Sequence, residues 1–394
     1  MKPLTGVRIV SVEQFGAAPY GSMFLADLGA EVIKVENVAT GGDPARRTGP
    51  FFLGEADSEY FQTWNMNKKS VALDLRRDEG KEALRRLAMS AEVVMNNLRG
   101  DLPAKMGLDY AAMSKVKKSL VCVHLSAYGR DNERASWPGY DYLMQAEAGW
   151  LSVTGEPDGP PARMGLSVVD YATGITCALA LLAGILEARR SGKGRDLDVS
   201  LYDTAMHQLS YPGAWYLNEG LVTGRAPRSA HPYIAPSQLF RTRDGWIFIM
   251  AQTQRFWDLL CTKLGRPELS ADPDFLDMAA RKKNRDRLTE VLDLEFGKRT
   301  TAEWLEILRG TVPCGPVYDM RQALENPYFL ERGGVQVLDH PQRAGFKLLA
   351  SPIRTGEPLP ARPAPKLGEH TDALLREIGY DAAQIARLKA SGAV

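Results

Sequence analysis

Short β-branched and apolar runs alternate with helical patterns along the first 220 residues of this chain. The runs predict strands over 7–12, 30–36, 70–75, 91–95, 120–125 and 196–201. The intervening patterns predict helices over 20–28, 78–90 and 202–217. Strands that alternate with helices form a mostly parallel sheet, which binds ligands beyond the carboxyl ends of its strands. The predicted fold class is therefore α/β.

The pattern changes near Gly220. A hairpin around 243–245, with its second strand over 246–250, is followed by predicted helices over 254–264, 283–298 and 301–308. We therefore expect a smaller α+β domain over 225–330. Residues 1–220 together with 331–394 are assigned to the large domain, and the stretches near 220–225 and 328–365 to linkers.

Asp170 lies between a short β-branched run, 167–169, and a glycine that opens a long apolar stretch over 175–186. This order predicts a strand, an acid, a turn and a buried helix. A carboxylate at the mouth of such a turn can attack an activated acyl group. It can equally cap the helix or bond the turn, and the local sequence alone favours that structural role.

Composition limits the possible partners. Lys and Arg number 49 and Asp and Glu 48, so no global charge favours nucleic acid or an acidic membrane surface. Four scattered cysteines predict free thiols, and the five histidines lack metal-ligand spacing. The N-terminus has no signal-peptide pattern, and the apolar run over 175–186 is too short to span a bilayer. We expect a cytoplasmic protein without a metal, a nucleic-acid partner or a membrane partner.

The first βα turn, over 13–22, carries glycines at the spacing of a phosphate loop. The Lys-Ser/Thr pair of that loop and the dinucleotide Gly-x-Gly-x-x-Gly are both absent, which disfavours a nicotinamide or flavin enzyme. Glu36, at the end of the second strand, is therefore interpreted as a sheet-edge or ion-pair residue. Basic and amide groups near strand ends, over 65–70, 75–77, 96–100 and 105–107, favour an anionic ligand.

Eight segments in this order resemble the family III CoA-transferases of the CaiB/BaiF type. They are 28–36, 67–70, 106–107, 139–141, 169–174, 192–194, 312–317 and 367–371. The superfamily includes formyl-CoA transferase, carnitine CoA-transferase and α-methylacyl-CoA racemase. The resemblance implies a Rossmann-like large domain without a nicotinamide site, a small α+β domain and a ring-shaped chain. Two such rings interlock in a homodimer.

The resemblance also implies site residues. The nucleophile is Asp170, and coenzyme A or acyl-CoA is a substrate, with no permanently bound cofactor. The implied CoA contacts are Gly16, Ala17, Leu73, Arg76, Asn97, Leu98, Arg99, Lys105, Met106, Pro138, Gly139, Tyr140 and Asp141. Arginine binds carboxylates through two parallel bonds, so Arg163 and Arg228 are candidates for holding a second carboxylate, as in succinyl-CoA. His231, which lies near Arg228 in the sequence, is a third candidate.

The implied reaction moves CoA from an acyl-CoA to a carboxylic acid through an aspartyl mixed anhydride and an aspartyl-CoA thioester. This requires Asp170 to be charged at neutral pH, as an ordinary aspartate is. Racemases of the same fold pair the aspartate with a histidine, where this chain has Tyr140, and a phenol is a poor base at neutral pH. A silent CoA-binding protein is a further alternative. The absence of a glycine run over 233–254 disfavours oxalate or formate, but the sequence does not identify donor and acceptor.

Overall fold

The computed structural model describes residues 2–356 and 361–394, which form two compact units. The first contains the described parts of 1–148, 165–208 and 330–394. The second contains 149–164 and 209–329. These boundaries differ from the expected ones, because 149–164 and 209–220 belong to the second unit and not to the large domain.

Thirteen strands are present in the described residues. They are β1 (Arg8–Val12), β2 (Glu31–Glu36), β3 (Phe52–Gly54), β4 (Asp57–Ser58), β5 (Lys69–Ala72), β6 (Val93–Asn96), β7 (Val121–Ser126), β8 (Asp196–Ser200), β9 (Ser237–Arg241), β10 (Trp246–Met250), β11 (Cys314–Pro316), β12 (Val335–His340) and β13 (Arg343–Leu349).

Seventeen α-helices accompany these strands in the described part of the chain. They are α1 (Ala17–Asp27), α2 (Glu59–Asn65), α3 (Asp78–Ser90), α4 (Leu102–Met106), α5 (Tyr110–Met113), α6 (Asp141–Glu147), α7 (Val168–Ser191), α8 (Leu201–His207), α9 (Ser210–Glu219), α10 (Gln254–Lys263), α11 (Met278–Lys283), α12 (Arg285–Phe296), α13 (Thr301–Leu308), α14 (Met320–Leu324), α15 (Pro327–Glu331), α16 (Thr371–Glu377) and α17 (Ala382–Ala390).

The first unit is built on a six-stranded parallel sheet in the order β5-β2-β1-β6-β7-β8. The predicted α/β fold is confirmed. Every residue of β6 and β7 is buried, as expected for strands covered on both faces. This is the doubly wound order, in which the chain reverses direction across the sheet between β1 and β6. Ligands bind such sheets beyond the carboxyl ends of the strands at that switch point.

One face of the sheet packs against α3 and the two last helices, α16 and α17. Their leucines share a single core with the strands, including Leu84 and Leu87 of α3 and Leu374 and Leu388 of α16 and α17. Backbone bonds extend this contact, since the N–H of Asp74 donates to the carbonyl of Ala393 at 2.9 Å. The C-terminal helices α16 and α17 therefore complete the core that the N-terminal strands and α3 form.

Helices α1 and α7 lie backbone to backbone. A Cβ added to Gly21 of α1 would lie 2.1 Å from the Gly174 carbonyl oxygen of α7. A Cβ added to Gly174 would lie 2.3 Å from the carbonyl oxygen of Ala17. Only glycine permits this approach at both positions. The contact places the first turn of α1 beside the first turn of α7, which carries Asp170.

The predicted strand at 167–169 is wrong, because α7 begins at Val168 and Asp170 lies in its first turn. The β-branched pair fits a first turn, where the backbone N–H groups need partners outside the helix. Asp141 supplies one by accepting the N–H of Asp170 at 3.0 Å. The apolar run is thus part of a 24-residue helix. Among the described residues α7 alone has the length and composition to cross a membrane, a test that core helices of soluble proteins also pass.

The second unit has a three-stranded antiparallel sheet in the order β11-β10-β9, with helices packed on it. Strands β9 and β10 form the predicted hairpin, with Arg241 opposite Trp246. The buried core includes Phe240, Trp257 and Phe296. The single helix expected over 202–217 is two helices, α8 and α9, because Ser210 adopts a left-handed conformation with φ 48° at the break.

All four cysteines are free thiols, as predicted. Cys122, Cys177 and Cys261 are buried and Cys314 is half-buried. Burial raises the pKa of the Cys177 thiol to about 12 and that of Cys261 to about 11, so both stay protonated and unreactive at neutral pH.

Candidate active site

Asp170 and Asp141 form a pair of neighbouring carboxyl groups in the first unit. Asp141 is the first residue of α6 and is 4% exposed. Its Oδ2 accepts the backbone N–H of Asp170, and its Oδ1 accepts from Nε2 of Gln145 at 2.6 Å. These two bonds fix the Asp141 carboxyl group, and through the backbone they fix the start of α7.

Burial raises the pKa of Asp170 to about 7, and the nearby charge of Asp141 adds to the rise. The expectation that Asp170 ionises like an ordinary aspartate is therefore wrong. A carboxylate with a raised pKa is more basic than usual, and strongly shifted groups of this kind cluster at functional sites.

Gly16 directly precedes α1 and lies against Asp170. A Cβ at Gly16 would lie 2.9 Å from Oδ2 of Asp170 and 3.6 Å from a ring carbon of Trp64. The absence of a side chain at Gly16 therefore leaves room for the carboxylate beside the start of α1. Gly16 and Ala17, predicted as ligand contacts from the sequence, lie where α1 begins, next to Asp170.

Four aromatic side chains contact one another beside Gly16 and Asp170. The ring centroids of Tyr60 and Trp64, both on α2, lie 4.3 Å apart, and those of Trp64 and Tyr171 lie 6.5 Å apart. Tyr171 also contacts Tyr20 with centroids 4.7 Å apart. Burial, with a contribution from Asp170, raises the pKa of Tyr60 to about 12, so its hydroxyl remains a hydrogen-bond donor. Sequence reasoning missed Tyr60 and Trp64, although their helical i,i+4 spacing was a usable signal.

A cleft of about 360 Å³ opens at the carboxyl ends of β1, β2, β5 and β6. Four of the CoA contacts expected from the sequence line it, namely Leu73, Arg76, Leu98 and Met106. Val12, Val35 and Leu75 add further apolar surface. The guanidinium of Arg76 is exposed and donates two 2.9 Å bonds to Asp74. The cleft thus combines an apolar interior with a cation at its edge.

The other expected CoA contacts are placed differently. Asn97 is bonded to both the N–H and the carbonyl of Gln14, at 2.9 and 2.7 Å, which ties the turn after β1 to the turn after β6. Arg99 and Lys105 are largely exposed, and both pair with Asp101. Tyr140 is 62% exposed. In the described part of the chain, the cleft lining does not include Gly16, Ala17, Asn97, Arg99, Lys105, Pro138, Gly139, Tyr140 or Asp141.

The three candidate substrate residues belong to the second unit, and each of them makes a hydrogen bond or an ion pair within it. Arg228 pairs with Asp293 at 2.5 Å. Nδ1 of His231 accepts the N–H groups of Tyr233 and Ile234, and burial lowers its pKa, so the ring is neutral at pH 7. Arg163 donates to the carbonyl of Met164 at 2.9 Å. A second carboxylate on the substrate would have to compete with Asp293 for Arg228.

Glu36 is an ion-pair residue, as one of its two interpretations stated. It binds Arg46 through two bonds of 2.8 and 2.6 Å, and β2 lies inside the sheet and not at its edge. Lys68 belongs to the segment 65–70 that was expected to favour an anionic ligand, but it is buried and pairs with Glu13 at 2.7 Å. No cluster of three or more His, Cys, Asp or Glu side chains suited to a metal occurs in residues 2–356 and 361–394.

Residues 4–371 match the model of CoA-transferase family III. This chain belongs to that family. The transferase is 33% identical to the succinyl-CoA:glutarate CoA-transferase of Mus musculus, over all of this chain and 91% of the relative. It is also 33% identical to the succinate–glutarate CoA-transferase of Agrobacterium fabrum, over 95% of this chain and 96% of the relative.

Solved structures agree with the family assignment. A CaiB/BaiF family protein from Brucella suis superposes with a TM-score of 0.82 at 32% identity, and the match covers 96% of this chain and 99% of that one. The resemblance inferred from the sequence is confirmed. The chain is therefore an enzyme, a family III CoA-transferase, and its substrates are CoA thioesters.

Proposed function

We propose that the transferase moves CoA from succinyl-CoA, or another short-chain acyl-CoA, to a carboxylic acid such as glutarate. The transfer passes through a mixed anhydride and a CoA thioester formed on Asp170. The observation that carries the mechanism is the placement of Asp170, with a raised pKa, against Gly16 at the start of α1 and near the ring of Trp64. The names of the mouse and Agrobacterium relatives support the substrate pair.

The chemistry proceeds by four acyl exchanges. A carboxylate oxygen of Asp170 attacks the thioester carbonyl, the C–S bond breaks, and CoA leaves as thiolate. The thiolate then attacks the Asp170 carbonyl of the mixed anhydride and releases the donor acid as a carboxylate. The acceptor carboxylate attacks the resulting aspartyl-CoA thioester and frees the thiolate again. The thiolate finally attacks the acceptor carbonyl, which yields the new acyl-CoA and restores Asp170.

Two features of the site fit these steps. The aromatic side chains of Tyr60, Trp64 and Tyr171 reduce access of water, which would hydrolyse the anhydride. Helix α1 begins beside Asp170, and the free N–H groups of a helix start stabilise a developing oxyanion. None of the exchanges needs a protonated catalytic group, so the charged form of Asp170 is the active one.

The cleft at the strand ends suits the nucleotide part of CoA. Its apolar lining, Val12, Leu73, Leu98 and Met106 among others, accommodates a flat base. The exposed cations Arg76, Arg99 and Lys105 follow the same strand ends and suit phosphate groups. Binding energy from this remote part of the substrate then supports the reaction at the thioester.

We propose further that the transferase is a homodimer, for which α7 supplies an apolar surface. Ile175, Leu179 and Leu186 of α7 are 52%, 67% and 61% exposed. In a homodimer, the second copy of the chain would cover these exposed apolar side chains. The interlocking of ring-shaped chains and the cytoplasmic location stay predictions.

The substrate proposal is tested with a panel of acids. Purified transferase is incubated with succinyl-CoA and glutarate, mesaconate, oxalate, acetate or hexanoate, and the new CoA esters are quantified by chromatography. We expect glutarate to be used at least about tenfold faster than acetate or hexanoate, since a second carboxylate adds a charge-assisted bond. Equal rates for dicarboxylates and simple acids would contradict the proposed acceptor class.

The pH dependence of the reaction is a separate prediction. Because only ionised Asp170 attacks, turnover should rise tenfold per pH unit below about 7 and level off above it. Asp141→Asn removes the like charge, so the midpoint should move to lower pH. It should stay above the ordinary 3.8, because burial is the larger cause of the shift. Rates are measured from pH 5 to 9.

The control for the pH profile is Glu82→Gln, which removes an exposed carboxylate on α3 that pairs with Arg86. Its midpoint should equal that of the wild type. A profile of Asp141→Asn that coincides with the wild type would show that Asp141 does not influence the ionisation of Asp170.

A further inference from the structure

Six charged side chains are buried together beneath the turn that joins β1 to α1. They are Glu13, Lys34, Glu36, Asp43, Arg46 and Lys68, and their side chains are at most 1% exposed where they pair. Three acids face three bases, so the set, called here the buried ion cluster, carries no net charge. Buried ion pairs are costly to desolvate and rarely add net stability over an apolar core. Their presence next to a functional turn calls for another reason.

Lys34 is the centre of the cluster. Its Nζ lies 2.8 Å from Oδ2 of Asp43 and donates to the backbone carbonyl of Glu13 at 2.9 Å. Lys68 pairs with the carboxylate of Glu13 at 2.7 Å. Burial alone would raise the pKa of Glu13, but Lys68 and Lys34 together lower it to about 2, so this carboxylate keeps its charge throughout the neutral range.

The cluster holds the turn directly. Oδ1 of Asp43 accepts the backbone N–H of Phe15 at 3.1 Å and that of Ala45 at 2.9 Å. Phe15 has φ 57°, a left-handed conformation that is strained for a residue with a side chain. The N–H that Asp43 binds belongs to that strained residue, and the next residue is Gly16, which contacts Asp170.

We propose that Asp43, supported by Lys34, is a positioning residue for the transfer reaction. By holding Phe15 in its left-handed conformation, Asp43 sets the direction in which Gly16 and the first N–H groups of α1 face the Asp170 carboxylate. The inference rests on the proposed role of Asp170 as nucleophile. It assigns Asp43 to the rate of acyl transfer and not to the affinity for the CoA thioester, although Asp43 also borders the cleft.

Two double variants of equal charge isolate the bond to Phe15. Asp43→Asn with Lys34→Met keeps an oxygen that accepts the Phe15 N–H, whereas Asp43→Ala with Lys34→Met does not. Both remove the same ion pair. A misplacement of about 1 Å near a reacting group costs on the order of 100-fold in rate. We therefore expect kcat of the Ala double variant to be roughly 10- to 100-fold below that of the Asn double variant.

The readouts separate positioning from stability. Dissociation constants for a non-reactive CoA thioether analogue should differ less than about threefold between the two double variants, since the cleft is unchanged. The yield of hydroxamate at Asp170, formed with acyl-CoA and hydroxylamine, should fall in step with kcat. Equal kcat values for the two double variants, or a loss confined to thioether affinity, would overturn the inference.

A second pair of variants leaves the cluster intact. Phe15→Asn places a residue that tolerates left-handed φ, and Phe15→Val places a β-branched residue that does not. The Val variant should be at least about tenfold slower than the Asn variant. Equal kcat values for the Phe15→Asn and Phe15→Val variants would refute the positioning role of the turn, even if the Asp43 variants do not fold. Absence of hydroxamate at Asp170 in the wild type would instead remove the proposed mechanism itself, so the two failures are distinguishable.

Discussion

Asp170→Asn is expected to lower CoA transfer by about 10³-fold or more, because an amide oxygen does not form the anhydride on which every later step depends. The measurement is the rate of new acyl-CoA formation from succinyl-CoA and glutarate. Mass spectrometry with hydroxylamine should show a hydroxamate at Asp170 in the wild type and none in the variant. Transfer at the wild-type rate by the Asn variant would end the nucleophile assignment.

The same substitution should stabilise the protein above neutral pH. The folded pKa of Asp170, about 7, lies above its ordinary value of 3.8, so the folded state binds the proton more tightly than the unfolded one. Stability therefore falls as pH rises from about 4 to 7, and the full penalty remains above that. Because the side chain is partly exposed, we expect a gain on the order of 2 kcal/mol for Asp170→Asn at pH 8.

Urea unfolding at pH 8 and pH 4 checks this effect. The difference between the Asn variant and the wild type should become small at pH 4, where Asp170 is protonated in the folded state and about half protonated in the unfolded state. An Asn variant that is less stable than the wild type at pH 8 would show that burial does not destabilise the charged Asp170 carboxylate.

Gly21→Ala is expected to destabilise the first unit by about 3 kcal/mol or more. The added methyl group would lie 2.1 Å from the Gly174 carbonyl oxygen. The methyl group is fixed to the backbone of α1 and the oxygen belongs to the backbone of α7, so the clash can be relieved only by moving the helices. Helices α1 and α7 must separate, and with them Gly16 and Asp170. Folded protein should therefore also lose activity, which is measured as kcat per folded molecule after thermal and urea unfolding curves are recorded.

Gly224→Ala is the matched control. Gly224 has no heavy atom within 4 Å of an added Cβ and no left-handed φ, so the substitution should change the free energy of unfolding by less than about 0.5 kcal/mol. A Gly21→Ala protein that unfolds within that margin of the wild type would mean that α1 and α7 are not held at the observed separation.

The sequence predicts the sheet well because each strand is a local pattern. Helix α3 has the bounds that its amphipathic spacing predicts, and β9 and β10 flank the expected turn. The start of α7 was missed because Val168 and Val169 favour strands locally, while the partner that satisfies the helix N-terminus, Asp141, is 29 residues away. Tertiary contacts of this kind override local propensity.

The site was predictable only in part for a similar reason. Motif resemblance predicted Asp170 as the nucleophile, which stays a prediction, and four of the residues expected to contact CoA line one cleft. The raised pKa of Asp170 depends on burial, which no single-residue pattern reports. Lys68, expected near an anionic ligand, is instead buried against Glu13, and this pairing joins positions 55 residues apart that no local pattern connects.

The first unit is assembled from three separate stretches, and the last of them closes its core. Leu374, Leu375 and Leu388 pack with strands that are made near the start of the chain, and Thr371 accepts the N–H of Ala72 at 3.0 Å. During translation, the part of this sheet face that α16 and α17 cover must therefore stay exposed until almost the whole polypeptide has been made. Nascent chains stalled before 371 should therefore depend on chaperones. The second unit consists of 149–164 and 209–329, so all of its residues have been made before the first unit is complete.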